Sequence, residues 1–169
     1  MHAPAAWPNV ASTISLPLAA ESHPMGAEEI VRGFFARVRS GVAPQEAALY
    51  LAPQVQAWQV CSAPQPECIV RTPDNYRAHI EDFRQMFGDF TLQLDEVLAQ
   101  GNKVYVRWRQ FGHHLAEIEG YAPTGLPLVC AGSAVYEVAD GRIVAYWMQQ
   151  EHHGLLQQLQ ANARHKEPA

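Results

Sequence analysis

LVCAGSAVYEVADGRIVAYWMQQEHH, residues 128–153, decides how this chain folds. Two runs rich in β-branched and aromatic residues flank Asp140-Gly141, a dipeptide suited to the positive-φ positions of a tight hairpin turn. With a two-residue loop Val138 faces Ile143. Continued without interruption, that register sets Ala134 opposite Trp147, Gly132 opposite Gln149 and Cys130 opposite Glu151. One face of the hairpin then carries Tyr136, Ala134, Gly132 and Cys130 beside Ile143, Ala145, Trp147, Gln149 and Glu151. Small residues opposite an indole and an amide leave volume that a close-packed core would fill, so this face reads as a cavity lining. The alternative is that Trp147 fills the space itself and Glu151 is solvated at a strand end. The other face holds Val129, Val135, Val144, Tyr146 and Met148, with Glu137, Ser133 and Gln150 to wet it. So apolar an outer sheet face marks an interaction surface, and a twofold contact would place the same patch on both subunits. The competing cover is the N-terminal segment with Trp7, Ile14 and Leu16.

Upstream of the hairpin the period is also two. Phe90, Leu92, Leu94 and Leu98 alternate with polar residues up to a Gly101-Asn102 turn. Val104, Val106, Trp108 and Gln110 then alternate with Tyr105, Arg107, Arg109 and Phe111. Before residue 90 the period is helical. Ile30, Val31, Phe34 and Val38 form one stripe, with Arg32, Arg37 and Arg39 off it, and Gly41 ends the helix. PQEAALYL from Pro44 reads as a short second helix, VQAWQV as a short strand and CSAPQPEC as loop. Thr72-Pro73 starts a third helix whose stripe is Tyr76, Ile80, Phe83 and Phe87, stopped by Gly88. GLLQQLQANA closes the chain as an amphipathic helix. Helices first and long antiparallel strands after them make an α+β domain, one sheet face covered by about three helices. Residues 1–24, with four prolines and no period, read as a flexible extension, 25–162 as the single domain and 163–169 as a tail.

The 169 residues carry 12 Lys plus Arg against 17 Asp plus Glu, a formal charge of −5 with no basic cluster, which argues against a nucleic-acid partner. No apolar run reaches the roughly 20 residues of a membrane-spanning helix, and prolines interrupt the N-terminal stretch that a signal peptide would need. Three cysteines, Cys61, Cys68 and Cys130, predict reduced thiols in the cytoplasm; Cys61 and Cys68 bracket the one loop that oxidation would close. The doublets His113-His114 and His152-His153 invite a metal reading. Adjacent strand residues face opposite ways and no closely spaced ligand motif is present, so no metal or other cofactor is expected. His79, beside the third helix's stripe, reads as a packed or capping histidine.

EEIVRGFFARV, ALYLAPQVQAW, VYVRW, GHHLAEIEGYAPTGLPL and GSAVYEVADGRIVAYWMQQEHHGLLQQL together resemble the SnoaL-like polyketide cyclase family, over roughly residues 27–160. That family belongs to the nuclear transport factor 2-like superfamily. The resemblance implies a cone of curved antiparallel sheet around three helices, enclosing a deep apolar pocket. It implies cofactor-independent ring closure by intramolecular aldol chemistry on a small polyketide-like carbonyl compound, and sheet-to-sheet homodimers. An acidic residue four positions after the tryptophan of the final strand acts as acid/base in the family; Glu151 holds that position here, where the family usually has Asp. His114 matches the histidine of the family's Gly-x-His piece, and Trp58 stands where a first-strand histidine is often found. The catalytic pair is thus expected to be Glu151 and His114. Trp58, Trp108, Gln110, Trp147, Gln149, Tyr76 and Phe34 are expected to contact a small apolar substrate. An isomerase, dehydratase, epoxide hydrolase or non-catalytic binding domain would use the same pocket.

Overall fold

The structure, a computed structural model, describes residues 25–60 and 67–166. The expected N-terminal extension, Cys61 and residues 167–169 lie outside them. Helix α1 (Ala27–Phe34) begins with Glu28 and Glu29 in its first turn, where carboxylates meet the positive end of the helix dipole. It continues into a π-helical turn, Phe35–Arg39, and Gly41 then turns the chain at φ 77°. A 3₁₀ turn (Pro44–Glu46) and the four-residue α2 (Ala47–Tyr50) replace the longer second helix expected from PQEAALYL. Leu51 already belongs to β1 (Leu51–Gln59). A strand that the sequence did not signal, β2 (Glu67–Arg71), pairs with β1. Helix α3 (Pro73–Phe87) starts as expected: Thr72 Oγ1 accepts from the Asn75 amide at 3.2 Å, and Asn75 Oδ1 accepts from the Thr72 amide at 2.9 Å.

Strands β3 (Thr91–Gln100), β4 (Lys103–His113), β5 (Pro127–Ala139) and β6 (Arg142–Gln150) follow as a meander, and α4 (His153–Lys166) closes the chain, running past residue 162. The six strands lie in the order β2-β1-β6-β5-β4-β3. All pair antiparallel except β1 with β6, which is parallel, so the sheet is mixed where the sequence predicted an antiparallel one. A parallel neighbour requires a long crossover, and α3 with the meander supplies it. The α+β class stands: helices cover one sheet face, against which Ile30, Val31, Phe34 and Phe35 pack on Val104, Val106, Ala134 and Tyr136. A second cluster, Phe87, Phe90, Leu128 and Leu159, closes the end under α4.

The final hairpin holds the main correction. Asp140 (φ 49°) and Gly141 (φ 73°) form the expected turn, and Val138 pairs with Ile143. Glu137 then pairs with Ala145, leaving Val144 as a bulge. One extra residue turns every later side chain on β6 to the opposite face. Tyr146, Met148 and Gln150 therefore oppose Tyr136, Ala134 and Gly132 on the helix-covered face, while Trp147 and Gln149 oppose Val135 and Ser133 on the outer one. Gly132 leaves room for an indole from β4, since a Cβ there would stand 2.8 Å from Trp108 Cζ2.

Beyond Gly132 the β6 ladder stops, and α4 completes the edge of β5 with one side chain. Gln158 Oε1 accepts from the Val129 amide and Gln158 Nε2 donates to the Val129 carbonyl, both at 2.9 Å. Only an amide can donate and accept at that spacing, so Gln158 imitates a strand residue.

Candidate functional site

Between the end of α1, the C-terminal half of α3 and the ends of β4 to β6 lies a cavity of about 190 Å³. Helix α3 contributes Phe83, Met86 and Phe87, and α4 contributes Leu155. Strand β4 presents Trp108 and Gln110 from its inward face, and Cys130 comes from β5. Glu119, Glu151 and His152 border it on the exposed side. The volume is below the roughly 300–1,000 Å³ of ordinary ligand pockets, so it suits a small compound. The Cys130 thiol is pushed up to about 11 by burial, against an opposing pull from the Arg39 charge, and stays protonated at neutral pH.

Three of the residues expected from sequence, Trp108, Gln110 and Glu151, meet at this cavity. Phe34 and Tyr76 do not line it. They are core residues in ring contact 5.2 Å apart, and Phe34 has no exposed surface. Trp147 and Gln149 are on the outer face because of the Val144 bulge. Trp58 is on that face too, since β1 turns Val55 and Ala57 inward and Trp58 pairs side by side with Trp147. Lys103 Nζ caps the Trp147 indole, 5.0 Å from its centroid.

Glu151 sits at the end of β6, where its amide donates to the Ala131 carbonyl at 3.0 Å. Its carboxylate is exposed and turned toward the start of α4, accepting from the Gly154 amide at 2.8 Å. A Cβ at position 154 would meet the Glu151 carboxylate, which would then have to swing aside. The acid at the cavity rim is therefore also a helix-capping group. His114 follows the inward alternation of β4 but is not among the cavity's lining residues. It is fully buried, with Nδ1 3.2 Å from Thr124 Oγ1 and Nε2 without a partner. Its amide donates to Leu126 O and its carbonyl accepts from Gly125 N, so His114 anchors the Pro123–Gly125 loop. Among the described residues no three His, Cys, Asp or Glu side chains gather as a metal site.

Sequence reasoning missed Arg39. It is 6% exposed and lines the cavity, with Nη1 donating to Gln110 Oε1 at 2.9 Å. Its guanidinium lies 4.8 Å from the Phe83 ring centroid and 6.0 Å from that of Trp108. The π turn explains its position. The Ser40 amide bonds back five residues to Phe35 O at 3.0 Å, and the extra residue rotates Arg39 to roughly where an uninterrupted helix would place Val38. Nothing in the hydrophobic stripe signals such a turn.

The family model described as SnoaL-like polyketide cyclase matches residues 29–159. No curated protein matches the chain. A solved protein from Acidithiobacillus ferrooxidans, described as a candidate polyketide cyclase, superposes with a TM-score of 0.70 at 24% identity, over 84% of this chain and 99% of that one. IdmH from Streptomyces antibioticus, also described as a candidate polyketide cyclase, gives 0.66 at 22% identity, over 79% and 98%. A protein from Kribbella flavida described as a candidate ketosteroid isomerase gives 0.52 at 22%, over 75% and 78%. At these identities the likeness establishes a shared fold.

Proposed function

The chain belongs to the SnoaL-like polyketide cyclase family, and on that premise we propose a cofactor-independent cyclase or isomerase acting by general acid/base chemistry on a small apolar carbonyl compound. The observation that carries this reading is the cavity itself, where apolar walls from α3 and α4 meet two rim carboxylates, Glu151 and Glu119, and the inward polar groups Gln110, Trp108 and Arg39. In the reaction Glu151 takes a proton from the carbon next to a carbonyl, leaving an enolate. The enolate carbon bonds to a second carbonyl carbon of the same molecule, and the alkoxide so formed takes the proton back. Nothing is oxidised or reduced. With Oε1 engaged by Arg39, Gln110 has its amino group left to donate to a ligand oxygen. His114 acts at a distance, by holding the loop around Thr124.

One observation favours a second reading, non-catalytic binding: the Glu151 carboxylate already caps Gly154. Replacing Glu151 by Gln separates the two. Ligand carried through purification, identified by mass spectrometry, supplies the assay compound. Turnover of that compound falls at least about a hundredfold in Glu151→Gln if the carboxylate is the base. Unchanged turnover removes the acid/base role, and binding without turnover in either protein makes the chain a binding module.

The outer sheet face is proposed as the seat of a homodimer, now on the corrected set of half-buried Trp58, Val135 and Trp147. No helix among the described residues is long and apolar enough to cross a membrane. A cytoplasmic location is proposed on the free thiols of Cys68 and Cys130.

A further inference from the structure

Arg39 is a buried cation without a carboxylate. None of the ion pairs among the described residues includes it, although Arg37, two positions earlier, pairs with Glu46 on the surface. A guanidinium keeps its charge at any ordinary pH and has five N–H donors. Its one hydrogen bond to a protein acceptor among the described residues goes to Gln110 Oε1, a neutral group. Its other nitrogens are not sealed in protein; the residue borders two spaces, this cavity of about 190 Å³ and one of about 10 Å³ beside Tyr76 and Tyr146, and only the first has room for a ligand. The aromatic faces of Phe83 and Trp108 hold the cation without using its donors. A buried charge left in this state costs stability, a cost an anion in the cavity would offset.

Resting on the reading of this cavity as the substrate site, we infer that Arg39 is its anion-binding group. The ligand it selects is a small planar apolar molecule presenting an ionised oxygen, either a carboxylate or the delocalised enolate of a 1,3-dicarbonyl. Both offer the guanidinium two oxygens in one plane, the geometry its fork matches. Glu151 is at the exposed border and Arg39 between the helices and Trp108, so a bound molecule has its acidic oxygen directed inward and its apolar body against Phe83 and Leu155. During proton removal Arg39 then carries the charge that develops on oxygen.

Benzoate and benzamide, alike in shape and different in charge, test this by NMR titration of the full ¹⁵N-labelled chain. Benzoate is expected to bind at least about tenfold more tightly than benzamide and to move the Arg39 Nε–Hε resonance. Arg39→Met is expected to erase the preference, and Arg39→Lys to keep part of it. Equal affinities, no binding of either compound, or a preference that survives Arg39→Met overturns the inference. If Arg39→Met does not fold, the wild-type comparison and the Arg39 resonance decide by themselves. The acid/base reading fails separately, through turnover in Glu151→Gln, whereas the charge preference is read in the parent and the Arg39 variants, all of which keep Glu151.

Discussion

Replacing Gly132 by Ala would test the cavity wall directly. The added Cβ would lie 2.8 Å from Trp108 Cζ2, 3.1 Å from Cε2 and 3.2 Å from the Gln149 carbonyl, where ordinary carbon contacts begin near 3.4 Å. The indole must recede by several tenths of an ångström. Phe35, 5.3 Å away between centroids and almost fully buried, blocks one direction. The open direction is the cavity, so the ring shifts into it. Overpacking of this kind costs about 1–3 kcal/mol. Gly132 is not in the left-handed region, so alanine also restricts the unfolded chain and returns about 0.4–1 kcal/mol. The net expectation is a loss of about 1–2 kcal/mol. For a domain of this size that is a fall in Tm of roughly 2–8 °C. Urea unfolding should show a lower midpoint with unchanged slope, and benzoate should bind more weakly because the ring occupies its space. A variant as stable as the parent, with benzoate affinity intact, would refute the placement of Trp108 against Gly132.

Gln158→Leu removes both bonds to Val129 and leaves a half-buried amide and carbonyl unpaired, so about 2 kcal/mol should be lost. Hydrogen exchange at the Val129 amide should accelerate more than at its neighbours. His79 is held down to about 4, first by burial and then by the charges of Arg71 and Arg39, with Asp82 opposing. The unfolded chain, with an ordinary value near 6.5, therefore takes the proton first. His79's contribution is whole above pH 6.5 and is lost as pH falls toward 4. His79→Phe, which keeps a ring beside Phe83, should flatten the drop in urea midpoint between pH 7 and pH 5; an identical drop in both proteins would refute this. Light scattering should give a dimer for the parent and a monomer for Trp147→Glu, and a monomeric parent ends the outer-face proposal.

The fold was legible because its signals are local. Thr72-Pro73, Gly88 and Asp140-Gly141 each set a boundary through backbone chemistry that needs no distant partner. The periods of β3 to β6 and the helical stripes then sort residues between core and solvent. Trp108 and Gln110 were found at the cavity from strand alternation, and Glu151 from its spacing after Trp147 in the family resemblance, since the hairpin register that also pointed to it is broken by the Val144 bulge. β2 was not, because Glu67–Arg71 is short and gains its strand character from pairing with β1.

The amino-acid order thus determined the α+β class, the hairpin turn and the caps, since those depend on dihedral preferences and on patterns of two and 3.6. Tertiary structure decided the faces of β6 and the direction of Arg39. IVAYWM is apolar at both parities, so a one-residue bulge at Val144 changes no hydrophobic pattern and only packing against Tyr136 and Ala134 selects it. The π turn likewise inserts a residue without altering composition. The rings that receive Arg39, Phe83 on α3 and Trp108 on β4, meet that guanidinium only once helix and sheet are packed together.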